Sequence, residues 1–171
     1  MKNLNKKQQL IIKISLGILL VICIITLIIF LNKDNFAKKG QFVIPKTEEN
    51  AIQGKPDSIP EEYMYQEAKV NNDYIVYLCA IPTVKDNILT IYFTSVETNK
   101  GLIKIKILDS NNNIIGESGL LNSNSYIKDI ALNKSLKDKE KITIKVMHYE
   151  KETYYSLGSI KLDLLVRKIN N

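Results

Sequence analysis

Tryptophan is absent from this 171-residue chain, histidine occurs once (His148), arginine once (Arg167) and cysteine twice (Cys23 and Cys79). Each scarcity removes a class of chemistry. A lone histidine, with no second His or Cys at ligand spacing, does not make a zinc set. Cys23 lies inside a long apolar run, which leaves Cys79 as the only thiol in the rest of the chain. No intramolecular disulfide can form there, so stability must come from packing. Cys79 itself sits in an apolar stretch, where a thiol is ordinarily inert, and a Cys79–His148 nucleophile and base pair is not expected. Phosphate-loop, dinucleotide-loop, zincin and paired-histidine motifs are all lacking. The sequence therefore assigns no catalytic residue, no cofactor and no metal, and a non-enzymatic role is the expectation.

The formal charge of +6 dissolves when it is divided along the chain. Residues 1–39 hold seven Lys against one Asp, residues 40–71 three Lys against six acids, and the remainder thirteen Lys and Arg167 against eleven acids. Basicity is concentrated beside the apolar run, and the later lysines alternate with apolar residues or acids, which predicts no patch. Nucleic acid is not expected as a partner, since the aromatics also lack the spacing of a stacking platform. Abundant Lys, Ile and Asn fit the residue bias of an AT-rich bacterial genome.

Eighteen consecutive uncharged residues, Ile14 to Leu31, stand between lysine clusters. As a helix they would reach roughly 27 Å, close to the hydrocarbon thickness of a bilayer. Only Ser15, Gly17 and Thr26 interrupt the run. No small-x-small cleavage site comes after it, and Ile22 stands where a lipid-modified cysteine at Cys23 would need a small residue. An uncleaved signal anchor is expected, with the lipid bilayer contacted through residues 14–31. The short basic tail 1–13 is placed in the cytoplasm and the large C-terminal part outside, since a first apolar segment ordinarily translocates the chain on its C-terminal side.

Residues 32–62 contain Pro45, Pro56 and Pro60 with Gly40 and Gly54 among acids, and read as an extended linker. From Tyr63 to Asn171 the pattern becomes that of strands. Tyr63 and Tyr65 begin one suited to an edge, and Tyr74 to Ile81 form an apolar run that Pro82 ends. Period-two alternation comes next: Leu89, Ile91 and Phe93; Ile103, Ile105 and Ile107; Ile142, Ile144 and Val146; Ile160, Leu162 and Leu164. Weaker strands are read at Ile114 to Glu117 and Tyr126 to Leu132, with Gly116 and Gly119 marking a bulge or a close backbone approach. Seven or eight short strands predict an all-β domain, an immunoglobulin-like antiparallel β-sandwich preceded by one N-terminal transmembrane helix.

Asp109 to Asn113 begins like a calcium loop, yet Ile114 and Leu120 occupy the positions that would need glycine and glutamate, so a hairpin turn is expected. Alternation puts His148 on the face of Ile142, Ile144 and Val146, where the strand leaves the core. Tyr149, Tyr154 and Tyr155 cluster before the last strand, and Tyr63 and Tyr65 would join them if the terminal strands paired. These five form the candidate interaction patch, because a tyrosine ring buries area while its hydroxyl stays hydrated.

Three segments carry a resemblance: Ile59-Pro60-Glu61-Glu62-Tyr63, Ile114-Ile115-Gly116-Glu117-Ser118-Gly119-Leu120, and Tyr149 to Ser159. Over about residues 55 to 166 the chain resembles small, poorly characterised membrane-anchored proteins of low-GC Gram-positive bacteria, some on mobile or conjugative elements. The resemblance implies an envelope location and a recurring fold, with no site residues to transfer. The combined expectation is a membrane-anchored binding or assembly module at the cell envelope whose partners are envelope or membrane proteins. The alternative is an accessory subunit of a conjugation or secretion channel.

Overall fold

A computed structural model describes residues 5, 14–27, 44–71 and 74–169. The chain divides into two compact units, Met1–Val43 and Ile44–Asn171. In the first, residues 14–27 are helical. The Thr26 hydroxyl donates back to the carbonyls of Ile22 (3.1 Å) and Cys23 (2.9 Å), so the run's one mid-helix threonine needs no outside partner. Among the described residues no helix is long and apolar enough to cross a membrane. Residues 28–31 of the apolar run lie outside the described residues.

The second unit is built of β-strands in mostly antiparallel sheets. Among the described residues the strands are β1 (Ile52–Gln53), β2 (Tyr65–Asn71), β3 (Tyr74–Cys79), β4 (Thr83–Lys85), β5 (Ile88–Ser95), β6 (Leu102–Leu108), β7 (Ile114–Glu117), β8 (Ser125–Ala131), β9 (Lys141–Tyr149), β10 (Ser156–Leu165) and β11 (Arg167–Lys168). The first sheet runs β1-β8-β5-β3-β2. β4 pairs with the start of β5 while β3 pairs with its end, and β11 lies parallel to β4. The second sheet runs β10-β9-β6-β7.

Alternation decides which side of each strand is buried. Leu89, Ile91 and Phe93 of β5, Val76 and Leu78 of β3, and Ile127 and Ile130 of β8 join one core with Ile103, Ile105 and Ile107 of β6 and Ile142, Ile144 and Val146 of β9. Two sheets thus close on a shared apolar layer, each keeping its other face outward. The edge position expected for the first tyrosine strand holds for β2, although Tyr63 falls in a 3-10 turn, Glu61–Tyr63, ahead of it. β1, β4 and β11 have no counterpart in the sequence reading, since two or three residues show no period.

The compact unit begins well ahead of the boundary at residue 63 that composition suggests. Thr47 bridges Leu120 in parallel, Leu120 N–H donates to Lys46 O (2.8 Å), and Glu48 N–H donates to Leu120 O (2.9 Å). The Glu48 carboxylate accepts from Gly119 N–H at 2.5 Å. A side chain at Gly119 would lie 2.5 Å from Glu48 N and 2.6 Å from its Cα, so the glycine is what lets this segment dock. The described part of the expected linker is therefore stitched to the domain, and the remaining residues 32–43 lie outside the described ones.

The Asp109 to Asn113 run forms the β6–β7 hairpin turn. Asp109 Oδ1 accepts from the backbone N–H of Asn111 and of Asn113, both at 2.9 Å, and Asn112 takes a left-handed φ of 61°. The Asn113 backbone bond, then the Asn113 side chain, Asn111 and Lys134, hold the Asp109 carboxyl below its ordinary value against an opposing effect of burial. A carboxylate so depressed stabilises the fold above the ordinary aspartate value of about 3.9 and loses that contribution as pH falls through its lower native value. Asp109→Asn is accordingly expected to flatten the acid limb of stability below about pH 4. Denaturant midpoints of both proteins across that range check this; parallel limbs would exclude Asp109 as a source of the acid sensitivity.

Candidate functional site

The outward face of the first sheet is tiled with tyrosine. Strand register sets Glu67 opposite Tyr77, Tyr77 opposite Thr94, Thr94 opposite Tyr126, and Tyr126 opposite Ile52. Directly opposed residues share a face, so these five make one row across β2, β3, β5, β8 and β1. Tyr65 stacks on Tyr77 with centroids 5.5 Å apart, and its hydroxyl donates to Thr94 Oγ1 at 2.6 Å. Tyr63 meets Tyr92 edge to face at 5.8 Å. Arg167, the only arginine, lies 5.7 Å from the Tyr63 ring centroid, and Lys128 Nζ lies 5.7 Å from that of Tyr92.

Tyr92 is the unusual member. Its φ is +48°, a conformation that a bulky L-residue rarely adopts. The β5–β8 register shifts between Thr90 and Phe93, so a bulge there turns Tyr92 out of the regular pleat. Neighbouring Ile91 and Phe93 are both fully buried. Two apolar anchors thus hold the strand on either side of a strained residue whose ring lies in the outer layer. Backbone strain of this kind persists only where the surroundings over-determine it, and it concentrates at functional positions.

The chain segment before β2 completes the layer. Ala80 N–H donates to Met64 O and Ile81 N–H to Tyr63 O, both at 3.1 Å, folding the 3-10 turn over the end of β3. Pro56, Ile59, Pro60, Met64 and Tyr65 line a shallow cleft of about 480 Å³ beside it. Cys79 lies opposite Tyr65 in register and is fully buried; burial pushes its thiol up to about 12. A thiol so raised and closed off from solvent is poorly reactive at neutral pH. Burial also raises the Tyr65 hydroxyl above the ordinary phenol value, with lesser contributions from Cys79 and Tyr77 against the Thr94 bond. The Tyr77 hydroxyl is raised by its bond to Glu67, 3.1 Å away.

The expected five-tyrosine patch is divided by the fold. β2 pairs with β3 and β10 with β9, so the two tyrosine groups are not joined by strand pairing. Tyr63 and Tyr65 belong to the first sheet's outer layer. Tyr149 and Tyr154 pack instead with Leu102, Leu120 and Met147, and Tyr155, at the β9–β10 hairpin, is 67% exposed. Tyr77, Tyr92 and Tyr126 carry no distinguishing signal in the sequence beyond the alternation that sets Tyr92 on the wet side of its strand. Register, which no single strand reveals, brings them together.

His148 is buried at the core's end, its ring 3.8 Å from that of Tyr74 and its Nε2 3.0 Å from Lys100 O. A carbonyl only accepts, so this bond places the proton on Nε2. Tyr74 and Cys79 terminate the same strand, about 17 Å apart and on opposite faces, which separates the histidine from the thiol. No known protein-family model matches the chain, and no curated protein resembles it.

Proposed function

We propose that this chain is a single-pass membrane protein of a bacterial cell envelope whose extracytoplasmic β-domain is a protein-binding or assembly module. Its binding face is the tyrosine layer of the first sheet. The observation that carries this reading is Tyr92, held at positive φ in a bulge and set edge to face with Tyr63, each of the two rings beside a cation. Half-buried tyrosines present large rigid area at low entropic cost, the property that makes tyrosine a frequent anchor at interfaces. The run Ile14 to Leu31 supports the membrane anchor, with the tail 1–13 cytoplasmic and the domain outside. The strand order supports an immunoglobulin-like sandwich: β3-β5-β8 faces β7-β6-β9-β10, and β11 returns beside β4.

Photo-crosslinking residues at Tyr126 and Glu67, in the full chain in living cells, are expected to capture one envelope protein that a probe at Asn112, in the β6–β7 turn of the second sheet, does not. Tyr92→Asn keeps a residue tolerant of left-handed φ while removing the ring, and should weaken that partner's binding by about tenfold or more. Equal capture from all three positions, or none where a control envelope protein crosslinks, would rule out the tyrosine layer as the contact surface.

A further inference from the structure

The opposite face of the domain assembles what the sequence disperses. In β6, β9 and β10 the lysines alternate with apolar residues, a pattern that suggests no patch when each strand is read alone. Period two places them all outward, and register then sets Lys106 opposite Lys145 and Lys145 opposite Lys161, three ammonium groups in one cross-strand row. Like charges directly opposed destabilise a sheet. Lys104 and Lys141 extend the face along β6 and β9. Glu117 pairs with Lys104 (3.0 Å) and approaches Lys106 (3.9 Å), and Asp163 pairs with Lys141 (2.8 Å). Neither Lys145 nor Lys161 has a carboxylate within ion-pair distance among the described residues, although the charge of Lys161 is felt by Asp163. Five lysines against two acids leave a surplus of three positive charges on the sheet's outer face, and the adjoining β9–β10 hairpin adds Glu150, Lys151 and Glu152, a net of one negative charge, so the surface as a whole stays positive.

Two further observations choose the partner. Beyond the lysine row, the β9–β10 hairpin exposes Tyr155 (67%) and Leu157 (52%) next to the Tyr149–Tyr154 cluster. Cations beside exposed aromatic and aliphatic groups match the headgroup boundary of a bilayer, where tyrosine rings are enriched. Only residues 32–43 separate the apolar run from the compact unit. Whatever their conformation, twelve residues reach no further than about 40 Å, so an anchored domain samples lipid headgroups at high effective concentration.

We propose that the outer face of β6, β9 and β10, led by Lys106, Lys145 and Lys161, docks the domain onto an anionic lipid surface. The inference rests on the membrane-anchor reading and gives the tethered domain an orientation, its tyrosine layer turned away from the bilayer. Dispersed anionic headgroups supply the charge that the lysine row lacks, and the attraction weakens within a Debye length and with added salt.

The test uses full-length protein carrying Cys23→Ala, with a fluorophore on Ser159→Cys on the lysine face or on Lys128→Cys on the opposite sheet. Buried Cys79 remains unlabelled. Each protein is mixed in detergent with phosphatidylcholine, with or without phosphatidylglycerol, and reconstituted; flotation and quenching by headgroup-attached nitroxide are read. The expected result is flotation with both lipids, and stronger quenching at Ser159 than at Lys128 only when phosphatidylglycerol is present. High salt and the triple variant Lys106→Gln, Lys145→Gln, Lys161→Gln should each abolish that difference. Equal quenching at the two positions in anionic vesicles overturns the docking while the anchor stands. Flotation with anionic vesicles alone, with quenching at Ser159, supports the docking and overturns the anchor. Absence of flotation with either lipid overturns both.

Discussion

Replacing Gly101 with alanine should lower the stability of the domain by more than about 3 kcal/mol, a large share of the 5–15 kcal/mol that holds a typical fold together. Two effects add. Gly101 has φ +111°, outside the regions open to an L-residue, and a backbone forced there costs about 1–3 kcal/mol. A Cβ would also lie 2.6 Å from Tyr149 O and 2.8 Å from His148 Nε2. Neither neighbour can yield cheaply. Tyr149 O belongs to a strand of the second sheet, and the His148 ring is held between Tyr74 and the Lys100 carbonyl. Gly54→Ala is the control, because Gly54 has φ +94° with nothing within 4 Å of the added carbon. Thermal unfolding of the full chain should show a loss of about 10 °C or more for Gly101→Ala and a much smaller one for Gly54→Ala. Equal losses would mean that backbone strain acts alone and that the close approach is relieved by movement.

The contrast between these two glycines shows what the sequence could and could not convey. Alternation in β5, β6, β9 and β10 was legible because each strand carries its own buried face in a local pattern. Leu89, Ile91 and Phe93 are each 0% exposed, as that pattern requires. The turn at Asp109 was legible for a similar reason, since a carboxylate that accepts from the backbone two and four residues ahead is a local interaction. The tyrosine layer and the lysine row were not, because both are products of register between strands far apart in the chain: Tyr77 and Tyr126 meet across Thr94, Lys106 and Lys161 across Lys145. The docking of residues 46–48 was legible only at its receiving end, where Gly119 marks a close backbone approach without saying which segment makes it. Proline and glycine at residues 45–56 signal only local irregularity, and what settles the place of that segment is the side chain missing at Gly119, together with the backbone bonds to Leu120.

Asn99 gives the second large effect. β5 stops pairing with β3 at the Val76 and Ser95 positions, which would leave the next residue of β3, Ile75, with both backbone groups pointing at a strand that has ended. Asn99 takes the missing strand's place: its Oδ1 accepts from Ile75 N–H at 3.0 Å, and its Nδ2 donates to Ile75 O at 2.6 Å and to Ser95 Oγ at 3.2 Å. One primary amide reproduces the donor and acceptor pair of a β-ladder, and its orientation is fixed because the two partners differ in kind. The side chain is 5% exposed, so Asn99→Ala would leave two backbone groups without partners in a site largely closed to water. At about 1–3 kcal/mol for each orphaned group, a loss of about 2–6 kcal/mol is expected in denaturant unfolding of the full chain. Asn99→Asp separates this account from simple loss of packing. It keeps shape and the bond to Ile75 N–H, but sets a carboxylate oxygen against the Ile75 carbonyl. The folded state would then favour the protonated acid, whose O–H can donate. A carboxyl with a raised native pKa contributes most below its unfolded value of about 3.9 and loses that contribution as pH rises. Asn99→Asp should therefore approach the parent protein in stability toward pH 4 and fall behind it at pH 7. If the gap between them is the same at both, the amide is not serving as a substitute strand, and the loop from Val96 to Gly101 must be held by the His148 and Tyr74 contacts alone.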